Sequence, residues 1–406
     1  MNTFEQLISP LKSFLESKGS VFDKISNSKT LFFKDFTQQL IYGVVMQISS
    51  LRLLVSDLQT NVIAQELHLP ATPYSTLRDA FSRFESDYFK SAYLEVLQSY
   101  RGMSVKGIDE VGLVKLVDGS LFPTLKSMDW ASYKKKRKAI RLHLSWELNR
   151  QIPTEFIAQK ANSSERDFLI SILKAGTTYV ADRGYFSFDL AEKIQQAEAF
   201  FILRIKKNLQ YTVTASLTID EAMPQCFKQL IDQVIQFDND ESGLNYRLIG
   251  FEVMGSKFMI CTNRLDLSTL QIIMLYAYRW QIELMFKFLK RTLNGIHLMN
   301  NSENGVNIQF YVLMMSVLLK MRLKQGCIQK NEEVLQRKSF VEKQKQKHMK
   351  FNDLNNYYGS SPEIWIKSIA TFFYEYWKIG KHWLLHLKNL ITQPFDDQVI
   401  RILGKT

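Results

Sequence analysis

Lys138 to Leu148 reads as alternating apolar and polar side chains, strictly so from Ile140 on. Ile140, Leu142, Leu144, Trp146 and Leu148 fall on one side, and Arg141, His143, Ser145 and Glu147 on the other. A side-chain period of two belongs to an extended strand, so this stretch predicts a half-buried strand and excludes a helix. It places a sheet in the middle of a chain that otherwise favours helices. The 406 residues include only 17 Gly and 8 Pro, so breakers are scarce. Hydrophobic residues make up 46% and charged residues 23%, which supports a large buried core and excludes wholesale disorder.

Residues 1 to about 105 read as helical. Thr37 to Leu69 is apolar-periodic with one Gly, Gly43, and predicts one long helix ended by Pro70 and Pro73. Thr72 is a suitable N-cap with Pro73 at the first helical position. The next helix then runs through Ser75, Leu77, Ala80, Phe81 and Phe84, with Arg78, Ser82 and Arg83 on its other face. Two helices around a short turn, with arginines on one face, fit either a helix-turn-helix or an ordinary helical hairpin.

From 106 the period changes. Val111 to Phe122 is an apolar strand run broken by a Gly119-Ser120 turn near its end. After the alternating strand, Pro153–Gln159 predicts another, and Ser163 or Ser164 caps a helix through Leu173 that ends at Gly176. A strand Thr178–Ala181 ends in Asp182, a helix covers Phe188–Ala197, and a strand covers Ala199–Ile205. Three strands followed by helix, strand, helix, strand is the order of an RNase H-like core: a mixed sheet with helices on its faces. Residues 208–268 follow with a hairpin, Tyr246–Val253 and Lys257–Thr262, around Met254-Gly255-Ser256. One long helix is expected from Ser268 to Leu293. The remainder is helical, with a basic run at Lys338–Lys350. The fold class expected is therefore α+β/α/β, with helical regions at 1–105 and 301–406 around a mixed-sheet domain at 106–300.

Lys and Arg number 52 against 40 Asp and Glu, a formal charge of +12, which biases the chain toward polyanions such as nucleic acid. Cys226, Cys261 and Cys327 are too few and too far apart for a disulfide framework, so a reducing compartment is expected. The start has no apolar core of a signal peptide, and the most apolar stretch, Phe310–Leu319, is too short to span a bilayer. A soluble, cytoplasmic, nucleoid-associated protein without a membrane partner is the expectation. His382 and His386 have helical metal-ligand spacing but no third ligand in view, and are read as incidental.

The chemistry lies in three places. Asp118 interrupts the apolar run LVKLVDGS, and Asp182 ends the strand in TYVADRGY. A carboxylate at a strand end of a mixed sheet points toward the crevice where ligands bind, although a turn-capping Asp looks the same. In the long helix, Tyr276, Arg279, Glu283 and Lys290 fall within about 60° of one another on the wheel. Met274, Tyr278, Ile282, Met285 and Leu289 cluster on a different side and are expected to face the core.

Taken in order, Asp118-Gly-Ser, Asp182-Arg-Gly-Tyr and Y-x2-R-x3-E-x6-K resemble the cut-and-paste DDE transposases of the insertion-sequence-four family. The resemblance runs from about 105 to 300 and says little about the two ends. It implies an RNase H-like catalytic domain with a β-rich insertion at about 208–268, which the longer gap between Asp182 and Glu283 accommodates. It implies that Asp118, Asp182 and Glu283 are catalytic and hold Mg²⁺ or Mn²⁺. Two such ions about 4 Å apart activate the attacking oxygen and stabilise the leaving one. It implies that Tyr276, Arg279 and Lys290 hold phosphates near the transposon end. Arg204 and Lys206, with Lys207, sit in FILRIKKN at the end of a strand and are phosphate candidates, as is Arg183 beside the second Asp. The basic loop Lys134–Lys138 is another, or a plain solvated turn.

Hairpin-forming relatives carry a Trp after the signature Arg and an aromatic in the preceding strand, which Trp280 and Phe258 match. Each is a candidate to stack an extruded base. The partners implied are double-stranded DNA, both transposon ends and target, and a second copy of the chain. The N-terminal helices would read the ends, and the C-terminal helices, with Phe310, Leu313, Met314 and Val317 as an apolar face, would pair the subunits. An RNase H-like nuclease and a non-catalytic DNA-binding regulator are the alternatives. Inverted repeats flanking the gene distinguish the transposase from both.

Overall fold

A computed structural model describes residues 3–100, 108–124, 127–134, 137–219, 223, 227–253, 255–292 and 298–344. The middle of the Lys134–Lys138 loop, Cys226, Met254, His382, His386 and everything after 344 lie outside these. The chain divides into two compact units: Met1–Met223 with Gln229–Phe251 and Lys257–Gln325, and Pro224–Lys228 with Glu252–Ser256 and Gly326–Thr406. In the second unit, the described residues are short strand ends and a helical continuation to Gln344.

The N-terminal region is helical as expected: α1 (Thr3–Ile25), α2 (Phe33–Val45), α3 (Leu51–Thr60), α4 (Val62–Glu66), α5 (Tyr74–Arg83) and α6 (Ser86–Ser99). The single helix expected over Thr37–Leu69 is instead three. The chain turns after α2, with Gln47 in the left-handed region at φ 56°. Ser50 then caps α3 by accepting from the Leu53 N–H, and Asn61 caps α4 by accepting from the Ile63 N–H. Both side chains satisfy backbone donors at a helix start, which divides the apolar-periodic stretch. The cap assigned to Thr72 is also wrong. Its hydroxyl is buried and receives the Gln39 amide at 2.8 Å, while Pro73 is the residue before α5. Leu77, Ala80, Phe81 and Phe84 are buried as their spacing required. Arg78 is exposed and paired with Asp79 at 2.8 Å, and Arg83 donates to Ser28 at 3.3 Å.

The strands are β1 (Leu113–Pro123), β2 (Ser132–Lys134), β3 (Arg137–Glu147), β4 (Ile152–Lys160), β5 (Thr177–Ala181), β6 (Phe200–Arg204), β7 (Tyr211–Ser216), β8 (Lys228–Phe237), β9 (Tyr246–Val253) and β10 (Ser256–Thr262). They form one mixed sheet in the order β2-β3-β1-β5-β6-β10-β9-β8-β7, with β4 also on β3. The strands expected within 208–268 therefore extend the central sheet. The sheet is parallel at β1–β5–β6 and antiparallel at β1–β3 and β6–β10. No turn breaks β1: Gly119 pairs with His143 and Ser120 with Leu142 in a continuous ladder, so Asp118 is a mid-strand residue. The alternating strand is not half-buried either. His143, Ser145 and Glu147 are buried along with the apolar face, because helices cover both sides of the sheet.

On one side lie α7 (Glu165–Ser171), capped by Ser164, and α8 (Phe188–Gln196), capped by Ser187. Leu169, Leu190 and Ile194 pack with Val117, Tyr179, Phe201 and Leu203. Each such side chain contributes about 1.5–3 kcal/mol when fully buried.

The expected helix Ser268–Leu293 is interrupted at Arg279, giving α9 (Thr269–Tyr278) and α10 (Trp280–Thr292). Ser268 and Gln271 form a reciprocal capping box at its start. At the break, hydrogen bonds tighten to i→i+3, from Arg279 N–H to Tyr276 and from Ile282 N–H to Arg279. Ile282, Met285 and Leu289 are buried, while Met274 and Tyr278 are half-buried.

The last helix is α11 (Glu303–Gln344). By length and composition, Glu303–Leu323 is apolar enough to cross a membrane, longer than the stretch expected from sequence. Most of it is buried inside the protein, the pattern of a core helix. Phe310, Leu313, Met314 and Val317 are among those buried side chains. They are filled by the chain's own core, which corrects their reading as a face for pairing subunits.

Candidate active site

Strand register places the first two acids. β1 and β5 run parallel with Leu116 beside Val180, so two residues further along each strand stand Asp118 and Asp182. Strand side chains alternate, so both project to the side opposite Val117 and Ala181, away from α7 and α8. The β5–β6 ladder pairs Ala181 with Leu203, which puts Arg204 next to Asp182 in the same row. Along β1, Phe122 shares the face of Asp118 and meets Phe286 of α10 at 6.5 Å. The two-part helix therefore lies over the acids.

Three side chains of that helix complete the cluster. The Tyr276 hydroxyl donates to Asp182 Oδ1 at 3.2 Å. Arg279 Nη2 donates to Glu283 Oε1 at 2.7 Å, with Arg279 buried and Glu283 partly open to solvent. Arg279 Nε is buried and has no hydrogen-bond partner among the described residues. Burial works against the Arg279 charge, but Tyr276, Asp182, Glu283 and Asp118 together hold its pKa above the ordinary value. All three acids thus act on one guanidinium. The Asp118 carboxyl is pushed up to about 6, chiefly by burial, with Glu283 and Glu165 adding to the rise and the Gly119 N–H and Arg279 opposing it. Burial also raises the Tyr276 phenol to about 12.

The other candidates divide. Arg204 lies 4.5 Å over the ring of Phe258, which meets Tyr276 edge-on at 6.4 Å, so both border the cluster. Phe258 is buried and stacked on Phe251 at 5.1 Å. That corrects its reading as a platform for an extruded base, since it offers no open face. Trp280 is half-buried with Lys287 Nζ 4.4 Å over its ring. Lys290 is exposed, 5.4 Å from the centroid of Phe122, a turn and more beyond Glu283. Lys206 and Arg183 are exposed, and Arg183 donates its backbone N–H to Asp182 Oδ1 at 2.8 Å.

One acid was missed. Glu165, at the start of α7, is ion-paired with Arg141 and reaches the glycines that follow each Asp motif. A Cβ at Gly119 would come within 3.0 Å of Glu165 Oε1, and one at Gly184 within 3.6 Å of Oε2. Its signal in the sequence was the first-turn Glu after Ser163-Ser164, where a helix N-terminus favours an acid. Nothing local tied that position to Asp118. His143 also faces this side, bonding Ser163 at 2.8 Å. Among the described residues, no group of three or more His, Cys, Asp or Glu side chains stands close enough to hold a metal ion. The space among the acids carries the Arg279 guanidinium.

A family model described as "Transposase DDE domain" matches residues 110–319. The chain is 26% identical over 212 residues to the putative transposase y4zB of Sinorhizobium fredii, covering 51% of this chain and 60% of that one. It is 31% identical over 142 residues to the putative transposase for insertion sequence element IS4SA of Synechocystis, covering 34% and 39%. It therefore spans less than two thirds of either curated relative. Among solved structures, a piggyBac transposase synaptic complex with hairpin DNA is similar over 81% of this chain and 78% of that one. The TM-score is 0.37 and the identity 11%.

Proposed function

The chain belongs to the transposase DDE-domain family, which matches over half its length, and from that premise we propose that it is an insertion-sequence transposase of the insertion-sequence-four type. It would bind the terminal inverted repeats of its element, cut DNA there and transfer the freed 3′-OH to target DNA. The observation that carries the reading is the parallel register that sets Asp118 and Asp182 on neighbouring strands, with Tyr276 bonded to Asp182 and Arg279 to Glu283 from the helix above them. Strand, strand, strand, helix, strand, helix, strand around a parallel centre supports an RNase H-like core.

The donor set suits a hard divalent cation: three carboxylates and no sulfur or imidazole among them. Asp118, Asp182 and Glu283 would hold Mg²⁺ or Mn²⁺, two ions in the fullest form, once Arg279 gives up Glu283. The bound metal would supply an activated water and neutralise charge on the phosphate being cut. The chain's own groups do the rest. Tyr276 holds Asp182 in place through its hydroxyl. Arg279 and Lys290 bind phosphates on either side of Glu283. Arg204, Lys206 and Arg183 extend the cationic path from the end of β6 and the turn after β5. Trp280, half-buried beside Arg279, receives an extruded base if the second strand is cut through a hairpin. Helices α1–α6 contact the element's ends, with Arg78 and Arg83 of α5 as the residues to test. The active form on DNA is a homodimer.

The test is nicking of a labelled transposon end alongside gel-shift binding. Asp118→Asn, Asp182→Asn and Glu283→Gln are each expected to bind the end and fail to nick it, and excess EDTA is expected to stop the wild type. Near-normal nicking by any of the three removes that residue from the site. Full cleavage in EDTA removes the metal from the mechanism.

A further inference from the structure

Arg279 is buried where the acids meet, its side chain only 6% exposed. It donates to Glu283 at 2.7 Å and lies against Tyr276, and its Nε–H has no partner among the described residues. A guanidinium does not lose its proton in a protein, so its charge stays in the site whatever else enters. A divalent cation held by the same acids brings two more positive charges against it, and like charges at such range repel strongly. Both cations draw on Glu283. The unspent donor adds a second pull, because a buried N–H without a partner is costly and a phosphate oxygen would relieve it.

We propose that Arg279 is a resident counter-cation of the acidic site, exchanged for the metal, so that metal loading releases its donors to a DNA phosphate. The proposal rests on the reading of Asp118, Asp182 and Glu283 as the metal-holding acids. It makes metal binding and DNA binding reinforce each other through one side chain, and by linkage each raises the other's affinity by the same factor. Without metal, the pair with Glu283 keeps the acids from repelling one another and keeps the guanidinium from DNA.

The test is Mn²⁺ binding to the full chain, read from the loss of the free Mn²⁺ paramagnetic signal, with and without a DNA duplex. Arg279→Gln removes the competing charge and is expected to bind Mn²⁺ about fivefold more tightly or better without DNA, with the Mn²⁺–DNA coupling reduced toward one. Arg279→Lys keeps the charge and is expected to stay near the wild-type affinity. Unchanged or weaker Mn²⁺ binding by a folded Arg279→Gln overturns the exchange. If that variant does not fold, the Arg279 Nε–H resonance of the wild type, assigned by its loss in Arg279→Lys, is followed during Mg²⁺ addition. It is expected to shift as Glu283 is shed, and a signal that stays put overturns the proposal. Mn²⁺ binding that needs Asp118 but ignores Arg279 sinks the exchange and leaves the site reading standing. Mn²⁺ binding indifferent to Asp118→Asn sinks both.

Discussion

Two buried arginines in this protein pair with acids and do opposite things with their hydrogen bonds. Arg247 grips Asp232 at both oxygens, 2.8 and 2.6 Å, and gives its remaining nitrogen to the carbonyls of Arg264 and Leu267. Asp232 is fully buried and also receives the Thr269 hydroxyl at 2.6 Å. Arg279 donates to one oxygen of a partly open Glu283, and its Nε has no partner among the described residues. The first pair ties β8, β9 and the start of α9 together. The second sits among acids that repel one another, with donors in reserve. A buried ion pair that is fully satisfied is architecture, and one that is half satisfied has room for a ligand.

The largest effect that would separate the two is on chemistry. Glu283→Gln is expected to lower strand cleavage by about a thousandfold or more while the protein stays folded, since groups acting as a unit lose most of their effect together. Asp232→Asn is expected to destabilise the fold and to change cleavage per folded molecule little. The two are compared by nicking rate and urea midpoint on the same preparations. Next in size is stability. Arg247→Ala leaves Asp232 charged and fully buried and is expected to cost about 3–5 kcal/mol, whereas Arg279→Ala leaves acids of which Glu283 is partly open to water and is expected to cost about 1–2 kcal/mol. Equal losses in denaturant would erase the distinction.

Two smaller measurements sharpen it. Tyr276→Phe removes one hydrogen bond to Asp182 and is expected to cost about 0.5–1.5 kcal/mol in stability. Its cleavage rate is expected to fall further than that cost accounts for, and an unchanged rate would leave Tyr276 a packing residue. The smallest effect concerns His143, another buried group with an unpaired nitrogen, Nδ1. Burial, with neighbouring Arg141 adding to it, lowers its pKa from 6.5 to about 4; Ser163 stands at Nε2, Phe168 on its face, and Glu165 is bound to Arg141. Between those values the unfolded chain takes up a proton that the folded one refuses, so stability falls as pH drops from about 6.5 toward 4. His143→Gln is expected to lose less of its urea midpoint between pH 7 and pH 5 than the wild type. Parallel losses would assign that slope to other groups.

Much of the sheet was legible because a period of two is a local property. β3, β4, β5, β6 and the β9–β10 strands lie where alternation and turn residues put them, within a residue or two. The N-terminal helix boundaries were not, because Ser50 and Asn61 become caps only once the chain has turned, and Thr72 is drawn off by Gln39. The Gly119-Ser120 turn failed for a related reason. Glycine there makes space for Glu165 and His143, and the strand runs straight through it. Phe258 and the apolar face of α11 were misread because a lone chain does not say which of its own surfaces will cover them.

By itself the sequence determined the kinds of residue and their order: two acids at strand positions, then Tyr, Arg and Glu spaced to share one side of a helix. Tertiary structure decided which of these touch: Tyr276 reaches Asp182, and Arg279 reaches Glu283. The parallel register that sets Leu116 beside Val180 carries Asp118 to Asp182. The interruption at Arg279 and the packing of α10 on Phe122 bring Glu283 over them. Glu165 reaches Gly119, the neighbour of Asp118, from a separate helix, and no sequence signal linked the two positions. Periodicity is written in neighbours along the chain, whereas proximity between β1, β5 and α10 depends on ladder register and on which face each helix covers, and those are settled only when the whole core packs.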